Sequence, residues 1–179
     1  MRCLFIFVDR VISKILRTYR NYIFYAKTGC RANLIGNMTL INRNVKCGKN
    51  VTIYPDVMFF GDGRIEIGDN VNIGSGTIIY ASQCGGGVSI GNNTAIAAQC
   101  YIIDMDHGIE KSMLISKQPN TVSPVLIGED VWVGAGVKIL KGSCLGDGCI
   151  IGAQSVVKGR IAPNAIAVGV PARIMKERR

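Results

Sequence analysis

The chain is short of the residues that most chemistries rely on. It has one His and one Trp among 179 residues. A His-rich zinc centre is excluded by a single His, and no metal is expected. The seven Cys are odd in number and lack the tight paired spacing of a zinc site. Cys47, Cys100 and Cys149 instead fall at places where a small apolar residue belongs, which predicts reduced thiols in a core and a cytoplasmic protein. Proline is scarce, no linker-like stretch appears, and the length suits one domain. No apolar run approaches the roughly 20 residues that a membrane-spanning helix needs. Acid is nearly missing from the start: residues 1–49 hold ten Lys and Arg against Asp9 alone. The remainder holds eleven charges of each sign, so the whole net charge of +9 sits at the N-terminus.

Glycine, by contrast, is abundant, with 22 residues, and the aliphatic residues fall in sixes. Ile127, Val133, Ile139, Leu145, Ile151 and Val157 recur at every sixth position, and Gly128, Gly134, Gly146 and Gly152 follow four of them. Four places after each comes a compact residue: Val131, Val137, Ser143, Cys149, Ser155. The ladder also runs through Ile35, Ile41, Cys47, Ile53, Phe59 and Ile65, then Ile73 and Ile79, then Ile90, Ile96 and Ile102. A helix repeats at three and four, a half-buried strand at two. A period of six suits short strands that each point an aliphatic residue inward and then turn a corner. Three such units make a triangular coil, and coils stack at about 4.8 Å. No coil buries its own apolar edge, so stability comes from stacking. The fold class is therefore an all-β solenoid.

Residues 1–30 follow a different period. Leu4, Val8, Val11, Ile12, Ile15, Leu16, Tyr19, Tyr22 and Ile23 keep helical spacing, and Arg10, Lys14, Arg17, Thr18 and Asn21 fill the other side. This predicts a basic amphipathic helix ahead of a solenoid over 31–179. Asp9 and Arg10 interrupt its apolar start too early for a signal peptide. Two roles stay open for it: a cap over the solenoid's open strand edges, or peripheral contact with an anionic membrane surface on its inner face. Nothing resembles a nucleic-acid-binding motif.

The ladder breaks twice. Ser82–Val88 contains three successive glycines but no following Lys-Ser/Thr, so it reads as a looping corner rather than a phosphate-binding loop. The longer break, about 103–125, carries His107 between Asp104, Asp106 and Gly108. Interrupting a solenoid for so long is a mark of function. His is the side chain best suited to move a proton near neutral pH, and a neighbouring carboxylate such as Asp104 or Asp106 can orient it. His107 as a plain polar loop residue is the alternative.

Three stretches carry a family resemblance: Asp104–Gly108 with Gln118-Pro119, Val125–Gly136, and Ala162–Ile174. On these, residues 31–179 resemble the hexapeptide-repeat acyltransferases, closest in pattern to the sugar and lipopolysaccharide O-acetyltransferases, including galactoside and maltose acetyltransferases. The resemblance implies a left-handed parallel β-helix and a homotrimer with active sites between subunits. It implies acetyl-CoA as co-substrate and a sugar or glycan of a bacterial surface polysaccharide as acceptor. By the same resemblance His107 is the general base. Trp132, Gly134, Ala135 and Ala153 line the acetyl-CoA cleft, and Lys158 and Arg173 meet its phosphates. The chain departs from the pattern at Asp106, where relatives often carry Asn, and at Lys158-Gly159-Arg160, where Thr-Lys-Asp is usual. N-acetylation of a nucleotide-linked amino sugar, or a non-catalytic trimeric scaffold, are the rival expectations. A β-helical carbonic anhydrase is disfavoured by the single His.

Overall fold

The computed structural model describes residues 2–84 and 86–179; the side chains of residues 2–5, 7, 9 and 10, and with them the expected helix places of Leu4, Asp9 and Arg10, lie outside the described set. A helix, Arg2–Thr28, leads directly into a stack of short parallel strands in three sheets. The first face is built from Ala32–Leu34, Val51–Ile53, Asn72–Ile73, Ala95–Ile96, Trp132–Val133, Ile150–Ile151 and Ala165–Gly169. The second holds Met38–Leu40, Val57–Phe60, Ile78–Tyr80, Tyr101–Ile103, Lys138–Ile139 and Val156–Val157. The third holds Val45–Cys47, Ile65–Ile67, Val88–Ile90, Val125–Ile127, Cys144–Leu145 and Arg160–Ile161. The chain visits the faces in turn, and each strand pairs with the one a coil earlier, which makes the left-handed parallel β-helix. Ala172–Glu177 folds back antiparallel on Ala165–Gly169 and closes the far end.

Strand alternation turns two residues of each side inward. Ile53, Ile73, Ile96, Val133 and Ile151 stack in one column, residue over residue. The compact residues Val131, Val137, Ser143, Cys149 and Ser155 are all buried beside such columns. The two buried serines are satisfied: Ser143 Oγ donates to the Val157 carbonyl at 3.2 Å, and Ser155 Oγ accepts from Gly169 N–H at 3.0 Å. At the corners between third and first faces, Asn50, Asn70 and Asn93 take left-handed φ of 56°, 58° and 59°. Asn tolerates that region. Their amides form a ladder, Asn50 to Asn70 at 3.1 Å and Asn70 to Asn93 at 3.0 Å.

In the first coil the register differs from the sequence ladder. Ile35 and Ile41 are exposed, at 41% and 55%, while Leu34 is buried and Leu40 packs against the core. The corner at Asn42–Asn44 is longer by one residue, which shifts everything before it. Asn42 fills that corner: it is buried, donates to the carbonyls of Phe60 (3.2 Å) and Gly63 (2.9 Å), and accepts from Asn44 N–H (2.7 Å). Cys100 and Cys149 are buried as expected; Cys47 is only partly so, its N–H donating to Cys30 Sγ at 2.9 Å. The helix covers the open end through its last turns. Phe24 is buried against the first coil, Asn21 accepts from Leu34 N–H at 3.0 Å, and Arg20 donates to Asn37 at 3.0 Å. No described helix is long and apolar enough to cross a membrane.

Candidate active site

Both ladder breaks fall on the same edge, the corner between second and third faces, in successive coils. After Tyr101–Ile103 the chain leaves the solenoid, and it rejoins at Val125–Ile127, which pairs with Val88–Ile90. Two short antiparallel strands, Met105–Asp106 and Thr121–Val122, form the neck of the loop. Beneath the neck Asp104 is completely buried. Its carboxylate accepts from Ser82 N–H at 2.9 and 3.0 Å, from Ser82 Oγ at 3.2 Å, and from Gly87 N–H. Its own carbonyl accepts from Ser123 N–H at 2.9 Å. One carboxylate thus ties the glycine-rich corner to the root of the long loop. That contact explains the glycines: a Cβ at Gly86 would stand 2.3 Å from Asp104 Oδ2, and Gly87 has φ +96°.

His107 stands just beyond the neck. It is exposed and has no hydrogen-bond partner among the described residues. The carboxylates expected to orient it are engaged elsewhere. Asp104 holds the 82–87 corner, and Asp106 lies 3.4 Å from Lys141 Nζ, which also donates to Thr121 Oγ1. Beyond His107 the loop is stapled by Gln118, a residue that sequence reading singled out only by family pattern. Its Oε1 accepts from Glu110 N–H at 2.6 Å, and its Nε2 donates to the Glu110 and Met113 carbonyls, each at 2.9 Å. Gly108 must be glycine there, because a Cβ would meet Gln118 Cβ at 2.7 Å. The loop tip is apolar and uncovered: Ile109 is 91% exposed and Leu114 72%.

The other expected residues lie on a different edge, the corner between first and second faces. Gly134–Ala135–Gly136 and Gly152–Ala153–Gln154 stack there in adjacent coils. Gly134 N–H donates to the Ile151 carbonyl and Gln154 N–H to the Ala135 carbonyl, both at 2.8 Å. The spacing is tight, since a Cβ at Gly134 would fall 2.6 Å from Ala153 N. The amides of Ala135 and Ala153 donate to nothing among the described residues, and both alanines are exposed. Two stacked N–H groups therefore remain available at the rim. Trp132, 56% exposed, precedes this corner on the outer surface of the first face. Arg173 sits at the C-terminal end of the same edge, paired with Val168; among the described residues its guanidinium reaches only the Ala172 carbonyl, at 3.3 Å. Lys158 is not with this group: it is exposed at a corner between second and third faces, the edge of His107.

One side of the triangle separates the two edges, the six positions from Ala135 to Lys141, or about 20 Å of extended chain. The outer surface between them is half-buried and mostly apolar, with Tyr80 beside Ile103, and is interrupted by Lys138 beside Tyr101. Burial, with Tyr80 adjacent, pushes the Tyr101 phenol up. The buried core thiols Cys100 and Cys149 are not placed for nucleophilic work. Burial pushes the Cys100 thiol up, and burial with Asp147 nearby pushes Cys149 up to about 11. Thiols so held stay protonated and inert. No group of potential metal ligands occurs among the described residues.

The Bacterial transferase hexapeptide (six repeats) family model matches residues 124–159. A maltose O-acetyltransferase of Clostridium difficile 630, known as a crystal structure, is 30% identical, with a TM-score of 0.56 over 89% of this chain and 75% of that one. The chain belongs to the hexapeptide-repeat acyltransferases. The putative lipopolysaccharide biosynthesis O-acetyl transferase WbbJ of Escherichia coli is 37% identical over 126 residues, 66% of this chain and 63% of that protein. The fold is also that of AntD, an N-acyltransferase from Bacillus cereus, with a TM-score of 0.75 at 20% identity over 89% of this chain and 88% of that one. The chain spans 38% to 63% of the length of the first curated relatives it matches.

Proposed function

We propose that the chain is an acetyl-CoA-dependent O-acetyltransferase whose acceptor is a sugar hydroxyl of a bacterial surface polysaccharide or lipopolysaccharide. The observation that carries this reading is His107. It is held at the mouth of a loop fixed by Asp104 and Gln118, yet its own imidazole is left free of structural bonds. WbbJ and the maltose O-acetyltransferase, both named as O-acetyltransferases, support the same assignment. His107 takes the proton from the acceptor hydroxyl as its oxygen attacks the thioester carbonyl. The tetrahedral intermediate collapses with cleavage of the carbon–sulfur bond, and the leaving thiolate takes the proton back from the imidazolium. No enzyme-bound acyl group forms, and holding base, hydroxyl and thioester in line supplies much of the rate. The Ala135 and Ala153 amides suit the donor's pantetheine arm and the developing oxyanion. Trp132 borders them, and Arg173 and Lys158 supply cations for phosphates.

Because His107 and the amide pair lie on different edges of one chain, the site is completed by a neighbouring copy, as a homotrimer would do. The uncovered apolar loop tip supports that assembly. The working compartment on this reading is the cytoplasm, where buried thiols stay reduced. The deciding experiment is thiol release from acetyl-CoA with a panel of hydroxyl and amino sugars, comparing wild type with His107→Ala. Hydroxyl-dependent turnover that falls by about 100-fold or more in the variant, with CoA binding kept, supports the proposal. Turnover confined to amino sugars moves the assignment to N-acetylation. Equal turnover in both proteins removes His107 as the base, and neither turnover nor CoA binding leaves a scaffold.

A further inference from the structure

The N-terminal helix grips the solenoid with the wrong side for an amphipathic cap. At 100° per residue, its bonding residues Arg20, Asn21, Phe24 and Thr28 share one side, the side of Arg17. The apolar stripe of Val8, Val11, Ile12, Ile15, Leu16 and Tyr19 faces the other way, its centre about 150° around the axis from Phe24. Every one of those six side chains is exposed, Ile15 at 62%, and Tyr22 extends the stripe toward the solenoid. The cap needs only the last turns. The preceding turns carry a continuous apolar face that is exposed from Val8 to Leu16 and nears the first coil only at Tyr19, which borders a groove lined by Leu34, Met38 and Leu40.

We propose that this stripe is a docking surface for an anionic phospholipid bilayer, on which the helix lies in the interfacial plane. Charge selects the occupant. Residues 2–28 carry six Lys and Arg (Arg2, Arg10, Lys14, Arg17, Arg20, Lys27) against Asp9. Packing the stripe against the same stripe of a second copy would bring six cations of each helix together with a single acid, Asp9, on each to pair them, whereas an anionic surface complements them. Lys14 flanks the stripe, so its stem can lie along the apolar zone with the ammonium group at the headgroups, and Lys27 adds a cation beyond the stripe's solenoid end, beside the first coil. No described helix is long and apolar enough to cross a membrane, and a helix with an apolar stripe and basic flanks suits the interfacial plane. The inference stands apart from the catalytic assignment.

The test is co-sedimentation of the full chain with phosphatidylcholine vesicles, with and without phosphatidylglycerol. Wild type is expected to pellet with the anionic vesicles, to stay in solution with the zwitterionic ones, and to be released by salt. Ile12→Asp with Leu16→Asp is expected to cut partitioning by on the order of 100-fold, and Lys14→Glu with Lys27→Glu by on the order of tenfold. Without lipid the Ile12/Leu16 variant should keep the wild-type melting temperature, because those side chains have no protein cover to lose. Wild type left in the supernatant with anionic vesicles, or variants that pellet as well as wild type, overturns the proposal. So does a smaller oligomer or a lower melting temperature of the Ile12/Leu16 variant without lipid, since either means that another copy already covers the stripe.

Discussion

Replacing Asp104 with Ala tests whether one buried carboxylate holds the His107 loop in place. The side chain is fully buried and accepts from two backbone N–H groups, Ser82 and Gly87, and from one hydroxyl. Hydrogen bonds to a charged group contribute about 1.5–3 kcal/mol each, and a buried donor left without a partner costs about 1–3 kcal/mol. The 82–87 corner is a surface turn that can swing out and let water satisfy its donors, which limits the loss. The expected cost is about 2–4 kcal/mol. For a chain of this size that lowers the melting temperature by roughly 5–15 °C if the solenoid melts as one unit. If the edge opens alone, the melting temperature moves less, and limited proteolysis instead cuts within 82–87 and 104–124. Either route frees the neck that presents His107, and a displacement of about 1 Å at a reacting group can cost on the order of 100-fold in turnover. Asp104→Asn should be intermediate, because the amide keeps one acceptor but sets an NH2 group against a backbone donor. Thermal melting, protease mapping and thiol release on Asp104→Ala decide the matter. Wild-type behaviour in all three would refute the reasoning.

Gly134→Val should collapse the amide edge, because its Cβ would meet Ala153 N at 2.6 Å. CoA affinity, read by thermal shift or calorimetry, should fall by more than tenfold. Glutamates at Ile109 and Leu114 should leave the monomer's stability within about 0.5 kcal/mol, since both are exposed. On the trimer reading they should shift sedimentation toward smaller species and lower turnover in parallel. Stability should also decline with alkali. Cys149 is raised in the folded state from 9.0 to about 11 by burial first and Asp147 second. Its contribution is therefore complete below the unfolded value and is lost as pH rises through about 11. Melting curves across that window should fall more steeply for wild type than for Cys149→Ala, and equal slopes would count against the burial argument.

The solenoid was legible because its period recurs in coil after coil on either side of the breaks. Ile127 to Val157 keep one register in sequence and in structure, and even the compact places filled by Ser143 and Cys149 are core positions. Periodicity failed where an extra residue was hidden between equally apolar neighbours. Leu34-Ile35 and Leu40-Ile41 present the same hydrophobicity in either register, and only the Asn42 side chain, bonded to Phe60 and Gly63 a coil away, fixes which is inside. The site was legible in its residue types and obscure in its connections. His107 stands out as the only His, but two carboxylates beside it look alike in sequence. That Asp104 serves the 82–87 corner while Asp106 serves Lys141 is a matter of contacts between coils, which spacing along the chain does not encode. The unpaired amides of Ala135 and Ala153 leave no side-chain trace at all.

The placement of these two groups follows from how a β-helix is built. Inside each coil the side chains are committed to the stack, and at each strand the backbone donors are taken by the next coil, so a free N–H occurs only at a corner. Corners are also the only places where the chain can leave the stack and return without breaking a sheet. A pair of free amides and a long inserted loop must therefore both sit on edges. Here they occupy different edges, with one sheet face between them. A single prism cannot fold one edge onto another, because the stacked core that makes the edges also holds them apart. Two prisms side by side can bring unlike edges together with no change in either. On the proposed reading, the rigidity that stabilises each coil is what makes a neighbouring copy necessary for catalysis, and the bare apolar tip of the 104–124 loop is the part of one chain shaped to reach the other.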